Sequence, residues 1–213
     1  MALFNKNYLK SVALIEKEEG GNFQPFATGF VVGFLLKNDP EPSKKLYSLF
    51  LLTNRHVFQD ADVLYARFDQ RGASQTKRFP ILLKDENGTK WFAHKDGQVD
   101  IAMLAINPKI LDENDIDWGF IDEECIAYPE DFENIGIALG DSVYLAGFPM
   151  GLSGLKKNYA IVRSGVLARV DEEIIASEKA MLIDATVFPG NSGGPVFLRP
   201  EQLFLNESKA VQK

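Results

Sequence analysis

Short runs rich in Val, Ile, Leu, Phe and Tyr, each broken by Gly, Asn, Asp or Pro, constrain the fold of this chain more than any other feature. Such runs read as β-strands. Branched and aromatic side chains pack well on a pleated surface, and the breakers supply the turns. The expected strands are 11–17, 26–37, 46–53, 62–69, 78–84, 90–94 and 101–106, then, after a gap, 142–146, 159–170, 180–187 and 195–198. No run of about 12 residues or more holds the 3.6-residue period of an amphipathic helix. Short helical turns are expected at 55–58 and around 115–120, and 70–87 reads as a surface hairpin. Two strand groups flank the acidic, interrupted stretch 111–141. That pattern predicts an all-β chain of two paired Greek-key barrels joined by a solvated connection.

Bulk composition narrows the function classes. The 213 residues are 46% hydrophobic and 25% charged, which is ordinary for a globular protein. A formal net charge of -7 leaves no basic surface of the density that nucleic acid requires, so no nucleic-acid partner is expected. No stretch approaches the roughly 18 to 20 apolar residues of a membrane span, so no membrane partner is expected either. The single cysteine, Cys125, cannot form an internal disulfide. With no signal-peptide pattern in the first residues, that cysteine count favours a reducing, cytoplasmic setting.

The sharpest local signal is the heptapeptide PGNSGGP, Pro189 to Pro195, which sets three glycines around one serine. Glycine lets a backbone take positive φ and approach a substrate closely. A tight turn here can aim the N–H groups of Gly190 and Ser192 at one point, as an oxyanion hole requires. The plainer reading is a Gly-rich hairpin with an incidental serine. The segment also satisfies G-x-S-x-G, but a nucleophile elbow needs a following helix and a later histidine. An apolar strand follows instead, and no histidine lies beyond His94.

Serine needs a base within hydrogen-bond reach. The chain has two histidines. His94 sits beside charged residues at a strand end and reads as exposed or structural. His56 follows the apolar run LFLLTNR and is the candidate base. A third group must fix the tautomer of the base, and a buried carboxylate is the usual choice. Asp100 opens the apolar run DIAMLAI, whereas its competitor Asp96 lies in the polar turn KDGQ. The resulting order is His56, Asp100, Ser192. Subtilisin-type enzymes run Asp, His, Ser, and hydrolase-fold enzymes run Ser, acid, His; only chymotrypsin-type enzymes share this order.

With these residues in place, the chain resembles the trypsin-like serine proteases. LLTNRHV, VDIAMLAI and PGNSGGP resemble the blocks around that family's catalytic histidine, aspartate and serine, and ATGFVV resembles the strand preceding the histidine strand. The lack of disulfides, together with GFPMGL and IVRSGVLARV, is closest to the HtrA-like bacterial subgroup. The resemblance covers most of residues 26–198. It implies two six-stranded Greek-key barrels of chymotrypsin type, 1–115 carrying His56 and Asp100 and 116–213 carrying the linker and Ser192. It implies His56, Asp100 and Ser192 as the catalytic triad and Gly190 and Ser192 as the oxyanion-hole donors. Asn191 stands where zymogen-activated relatives have an acid, so no activation by N-terminal cleavage is expected. Thr186 matches the floor of the substrate pocket, which favours small or medium apolar side chains. The departure is at the end, where LRPEQLFLNESKAVQK replaces two further strands. The second barrel is therefore expected to be incomplete, unless an additional domain or partner chain completes it. No PDZ domain is visible. The function these features imply is serine endopeptidase action on a protein or peptide, with no cofactor or metal. The alternatives are an esterase with the same triad and a catalytically silent protease-like binding or regulatory module.

Overall fold

A computed structural model describes residues 4–154, 156–200, 202–205 and 209–212. The first group of strands is β1 (Val12–Glu19), β2 (Asn22–Lys37), β3 (Leu46–Thr53), β4 (Val63–Asp69) and β5 (Thr76–Leu82), with α1 (Arg55–Gln59) between β3 and β4. The short strands β6 (Lys84–Asp85), β7 (Gly88–Thr89) and β8 (Phe92–Ala93) follow, then β9 (Ala102–Ala105), α2 (Pro108–Glu113) and β10 (Ile121–Asp122). The second group is α3 (Pro129–Ile135), β11 (Ser142–Gly147), β12 (Ile161–Arg169), α4 (Glu172–Glu178), β13 (Leu182–Ala185), β14 (Val196–Leu198), β15 (Gln202–Leu205) and β16 (Lys209–Gln212). The architecture is all-β and of chymotrypsin type.

An eight-stranded sheet runs β5-β4-β1-β2-β3-β9-β8, with β10 pairing parallel to β2. A four-stranded sheet runs β13-β12-β11-β14, and among the described residues β15 and β16 pair with each other. Among the described residues the second sheet holds these four strands, and the C-terminal segment, where no further strands were expected, carries the β15–β16 pair. The 70–87 stretch is more than a surface hairpin: β5 pairs with β4 along its length, and only β6 and β7 form a small separate hairpin. The 115–120 stretch is not helical. The helix forms earlier, at α2, where Asn107 caps it by accepting from Lys109 N and Pro108 occupies its first turn.

Strand alternation sorts side chains onto two faces. In β1, Ala13 and Ile15 enter the core of the first sheet with Val31, Leu51, Phe58, Leu64 and Ala66. Val12 and Leu14 turn the opposite way and pack with Ala146 and Phe148 of the second group. Successive residues of a strand point to opposite faces, so one strand serves both cores. The same alternation in β2 sends Ala27 and Val31 inward and places Phe30 against the second group. This outward face of β1 and β2 is the floor on which the serine segment rests.

Candidate active site

His56 sits in the single turn of α1, where its neighbours Val57 and Phe58 are buried. Phe58 packs edge-on against Trp91. Anchored by these two side chains, the helix turns His56 outward, leaving its side chain 55% exposed. Asp100 lies just ahead of β9, which pairs with β3 from Thr53↔Ala102 onward and so brings the acid beside the start of α1. His56 Nδ1 meets Asp100 Oδ2 at 2.7 Å, and the backbone N–H of His56 donates to Asp100 Oδ1 at 3.0 Å. Asn54 Nδ2 donates to the Asp100 carbonyl at 2.8 Å. A carboxylate only accepts, so Nδ1 carries the proton and Nε2 of the neutral ring presents its lone pair.

The acid is less buried than its sequence context suggested. Asp100 keeps 48% of its side chain exposed, because it precedes the strand rather than lying in it. Attraction between such exposed groups is modest. Position is fixed instead by the two-point grip of the carboxylate on the ring and on the helix N–H.

Ser192 lies in the turn between β13 and β14, and two hydrogen bonds from Thr28, which Thr53 braces, hold that turn to the first sheet. Thr28 N donates to the Ser192 carbonyl at 2.9 Å. The buried Thr28 hydroxyl donates to the Gly190 carbonyl at 2.7 Å and accepts from Phe148 N at 3.1 Å. The buried Thr53 hydroxyl donates to the Thr28 carbonyl at 2.8 Å. Gly193 has φ +79°, and a Cβ there would run into the Thr53 hydroxyl and the Thr28 carbonyl. Gly190 has φ +96° and sits against the Phe148 carbonyl. Both positions therefore need glycine for conformation and for space. Thr28 and Thr53 were not singled out from the sequence as site residues, although both fall within recognised motifs.

The turn is shaped so that its middle N–H is used and the flanking ones are not. Asn191 N donates to the Phe188 carbonyl at 3.1 Å. Among the described residues, neither Gly190 N nor Ser192 N donates to a protein acceptor. Beside them lies a cavity of about 520 Å³ lined by Asn54 of the first group and by Leu145, Val187, Phe188, Pro189 and the serine turn. Thr186 does not line it and is exposed. His94 lies apart from these groups, its Nδ1 accepting from Asp96 N at 3.1 Å in the loop that contains both.

The structure joins His56 to Asp100. Ser192 is not hydrogen-bonded to them: among the described residues its hydroxyl makes no hydrogen bond. No group of three or more His, Cys, Asp or Glu side chains among the described residues is arranged to hold a metal ion.

Comparison with known proteins bears on the family and on the setting. The chain is 29% identical over 187 residues to probable periplasmic serine endoproteases, described as DegP-like, from Brucella suis and Brucella abortus, covering 85% of this chain and 27% of each relative. A similarly described protein from Rhizobium meliloti is 25% identical over 182 residues, covering 83% of this chain and 27% of that protein. The chain thus spans about a quarter of the length of these relatives. Their names overturn the cytoplasmic expectation, since they are periplasmic. A lone cysteine excludes an internal disulfide but does not report the compartment, because a core of this size holds together without one. Residues 27–204 match the trypsin-like peptidase domain. The chain belongs to that family of serine proteases, on its HtrA-like side.

Proposed function

We propose that this chain is a serine endopeptidase domain in which Ser192 is the nucleophile, His56 the general base and Asp100 the group that orients His56. The observation that carries this reading is the His56–Asp100 grip, which leaves Nε2 as the free basic atom of the ring. Serine hydroxyls are weak nucleophiles until a base takes the proton. As Ser192 Oγ attacks a peptide carbonyl, His56 Nε2 accepts that proton. The Asp100 carboxylate stabilises the imidazolium without becoming protonated. Negative charge develops on the carbonyl oxygen, and the N–H groups of Gly190 and Ser192 are the donors for it. His56 then returns the proton to the leaving amine. An acyl-enzyme remains, and His56 activates the water that hydrolyses it. Catalytic hydrogen bonds are commonly long without substrate and tighten when it binds, in keeping with the open Ser192–His56 arrangement.

The apolar lining by Leu145, Val187 and Phe188 suits an apolar side chain at the cleaved position. The DegP-like relatives support a periplasmic setting for the parent protein. A binding module has no physical need for a histidine gripped at two points, which weighs against a silent role.

The test is covalent labelling with a fluorophosphonate, followed by digestion of an unfolded protein such as reduced casein. Folded protein is expected to label and to cleave casein. Ser192→Ala is expected to do neither, with turnover falling about 10⁶-fold. Absence of Ser192-dependent labelling in folded protein overturns the reading. Labelling without casein cleavage moves it to an esterase.

A further inference from the structure

Away from the triad, an ionic cluster around a buried carboxylate sits on the outward face of the first sheet. Glu16 of β1 is 1% exposed. It accepts from Arg67 Nη1 of β4 at 3.2 Å and from Arg78 Nε of β5 at 2.5 Å. Both arginines reach one carboxylate because β4 lies between β1 and β5, with Arg67 directly opposite Arg78. One pair would suffice to neutralise Glu16. A second guanidinium at 8% exposure is costly to bury unless its other donors are used.

Those donors all go to one loop of the second group, the connection between β11 and β12. Arg67 Nε donates to Asn158 Oδ1 at 2.7 Å. Its Nη2 donates to Ser153 Oγ at 3.0 Å and to the Gly154 carbonyl at 3.1 Å. Asn158 answers by donating to the Arg67 carbonyl at 2.5 Å, and its own N–H donates to Asp69 Oδ1 at 2.6 Å. Tyr159 N closes the loop on the Ser153 carbonyl at 2.9 Å. The planar guanidinium fork thus holds the loop at three points.

The other end of the same loop touches the serine turn. Met150 N donates to the Pro189 carbonyl at 2.6 Å. Phe148 presents its carbonyl to the space beside Gly190 and donates its N–H to the Thr28 hydroxyl. Met150 is held at φ 54°, ψ 25°, a left-handed conformation that a non-glycine residue keeps only when its surroundings impose it. One end of the loop is tied to Arg67, and the other sets the plane of the Pro189–Gly190 peptide, whose N–H is an oxyanion donor in the proposed reaction.

We propose that Arg67 is a positioning residue for this oxyanion donor, acting through Ser153, Gly154, Asn158 and Met150. This rests on the serine endopeptidase reading above. It predicts a defect in the chemical step rather than in substrate binding, because the donor meets charge that exists only in the transition state.

The test compares wild type, Arg67→Met, Arg67→Lys and Asn158→Ala by thermal unfolding, fluorophosphonate labelling and turnover of a peptide anilide. Arg67→Met leaves Glu16 paired with Arg78 but releases the loop. It is expected to lower kcat about 10²-fold with KM within about three-fold of wild type. Arg67→Lys keeps the charge and loses the fork, so its unfolding midpoint recovers while kcat stays low. Asn158→Ala removes the loop's contact with Arg67 Nε while leaving Glu16 paired with both arginines, and it decides the matter if Arg67→Met does not fold. Wild-type kcat in folded Asn158→Ala and Arg67→Met, or recovery of kcat alongside stability in Arg67→Lys, overturns the proposal. Wild type that shows no Ser192-dependent labelling overturns the endopeptidase reading, and the proposal with it.

Discussion

The two strand groups solve the burial problem differently. The first encloses its own core: Ile15, Val31, Leu51, Phe58, Leu64 and Leu83 are all at or below 2% exposure. After Asp122, the buried apolar residues among those described are Val143, Ala146, Phe148, Leu167, Pro149 and Pro195. Two of these, Ala146 and Phe148, are buried against β1 rather than within the second sheet. Meanwhile Met150, Leu152, Tyr159, Met181, Leu182 and Val187 remain exposed. His56 and Asp100 thus stand on a body with its own buried cluster. Ser192 belongs to a group whose buried residues Ala146 and Phe148 pack on β1. Placing Ser192 is then a matter of the docking contacts, chiefly Thr28, Thr53 and Arg67.

The sharpest way to break this comparison is to truncate one large side chain in each half. Phe58→Ala is expected to destabilise the protein by about 3–5 kcal/mol, since it empties a buried ring site. Leu182→Ala, on a half-exposed strand, is expected to change stability by less than about 0.5 kcal/mol. Equal losses in denaturant titrations would show that the second group has a core of its own. A smaller effect sharpens the docking argument. Thr28→Val keeps the shape but removes the hydroxyl that bridges the Gly190 carbonyl and Phe148 N. Two backbone groups lose their partner, at a cost of about 1–3 kcal/mol. Because the lost contact is the docking contact, protease nicking within 142–198 is expected to accelerate before nicking of the first group does.

The smallest effect is a change in pH dependence. Burial pushes the Asp69 carboxyl above its usual range, against the opposing pull of the Asn158 N–H, Lys157 and Arg67. A carboxyl whose folded pKa is raised binds its proton more tightly folded than unfolded. Its stabilising contribution is therefore complete below the ordinary carboxylate value and is lost as pH rises through the raised one. Asp69→Asn retains an acceptor for Asn158 N and removes this titration. The difference in unfolding midpoint between variant and wild type is expected to move in favour of the variant between about pH 4 and pH 7. A difference that stays flat across this range would remove Asp69 from the account.

Much of the fold was legible because period-2 runs and turn residues are local signals. The strands 26–37 and 46–53 were read close to their observed bounds for that reason. The helices α2, α3 and α4 were missed, although two carried start signals. Asn107-Pro108 and Tyr128-Pro129 each place proline in a first turn. Runs this short give period analysis little to work with. At the candidate site, His56, Asp100 and Ser192 were legible because each lies in a distinctive local block. Glu16, Arg67 and Asn158 were not, because nothing beside them in the chain marks their role, and Thr28, though it lies in ATGFVV, has its partner far away in the chain. Thr28 and its partner Gly190 are separated by 162 positions.

The sequence by itself determined the strand-rich character, the order of the three candidate residues and the need for glycine around Ser192. Those properties depend on residue type and on neighbours a few positions away. Only the tertiary structure decided that Asp100 grips His56 at two points while half exposed, that the serine turn hangs from Thr28 and Thr53, and that Arg67 ties a distant loop to it. Hydrogen bonds and burial act over a few ångströms of space. Which residues come within that reach is settled by how β1 and β2 turn one face to each half of the molecule.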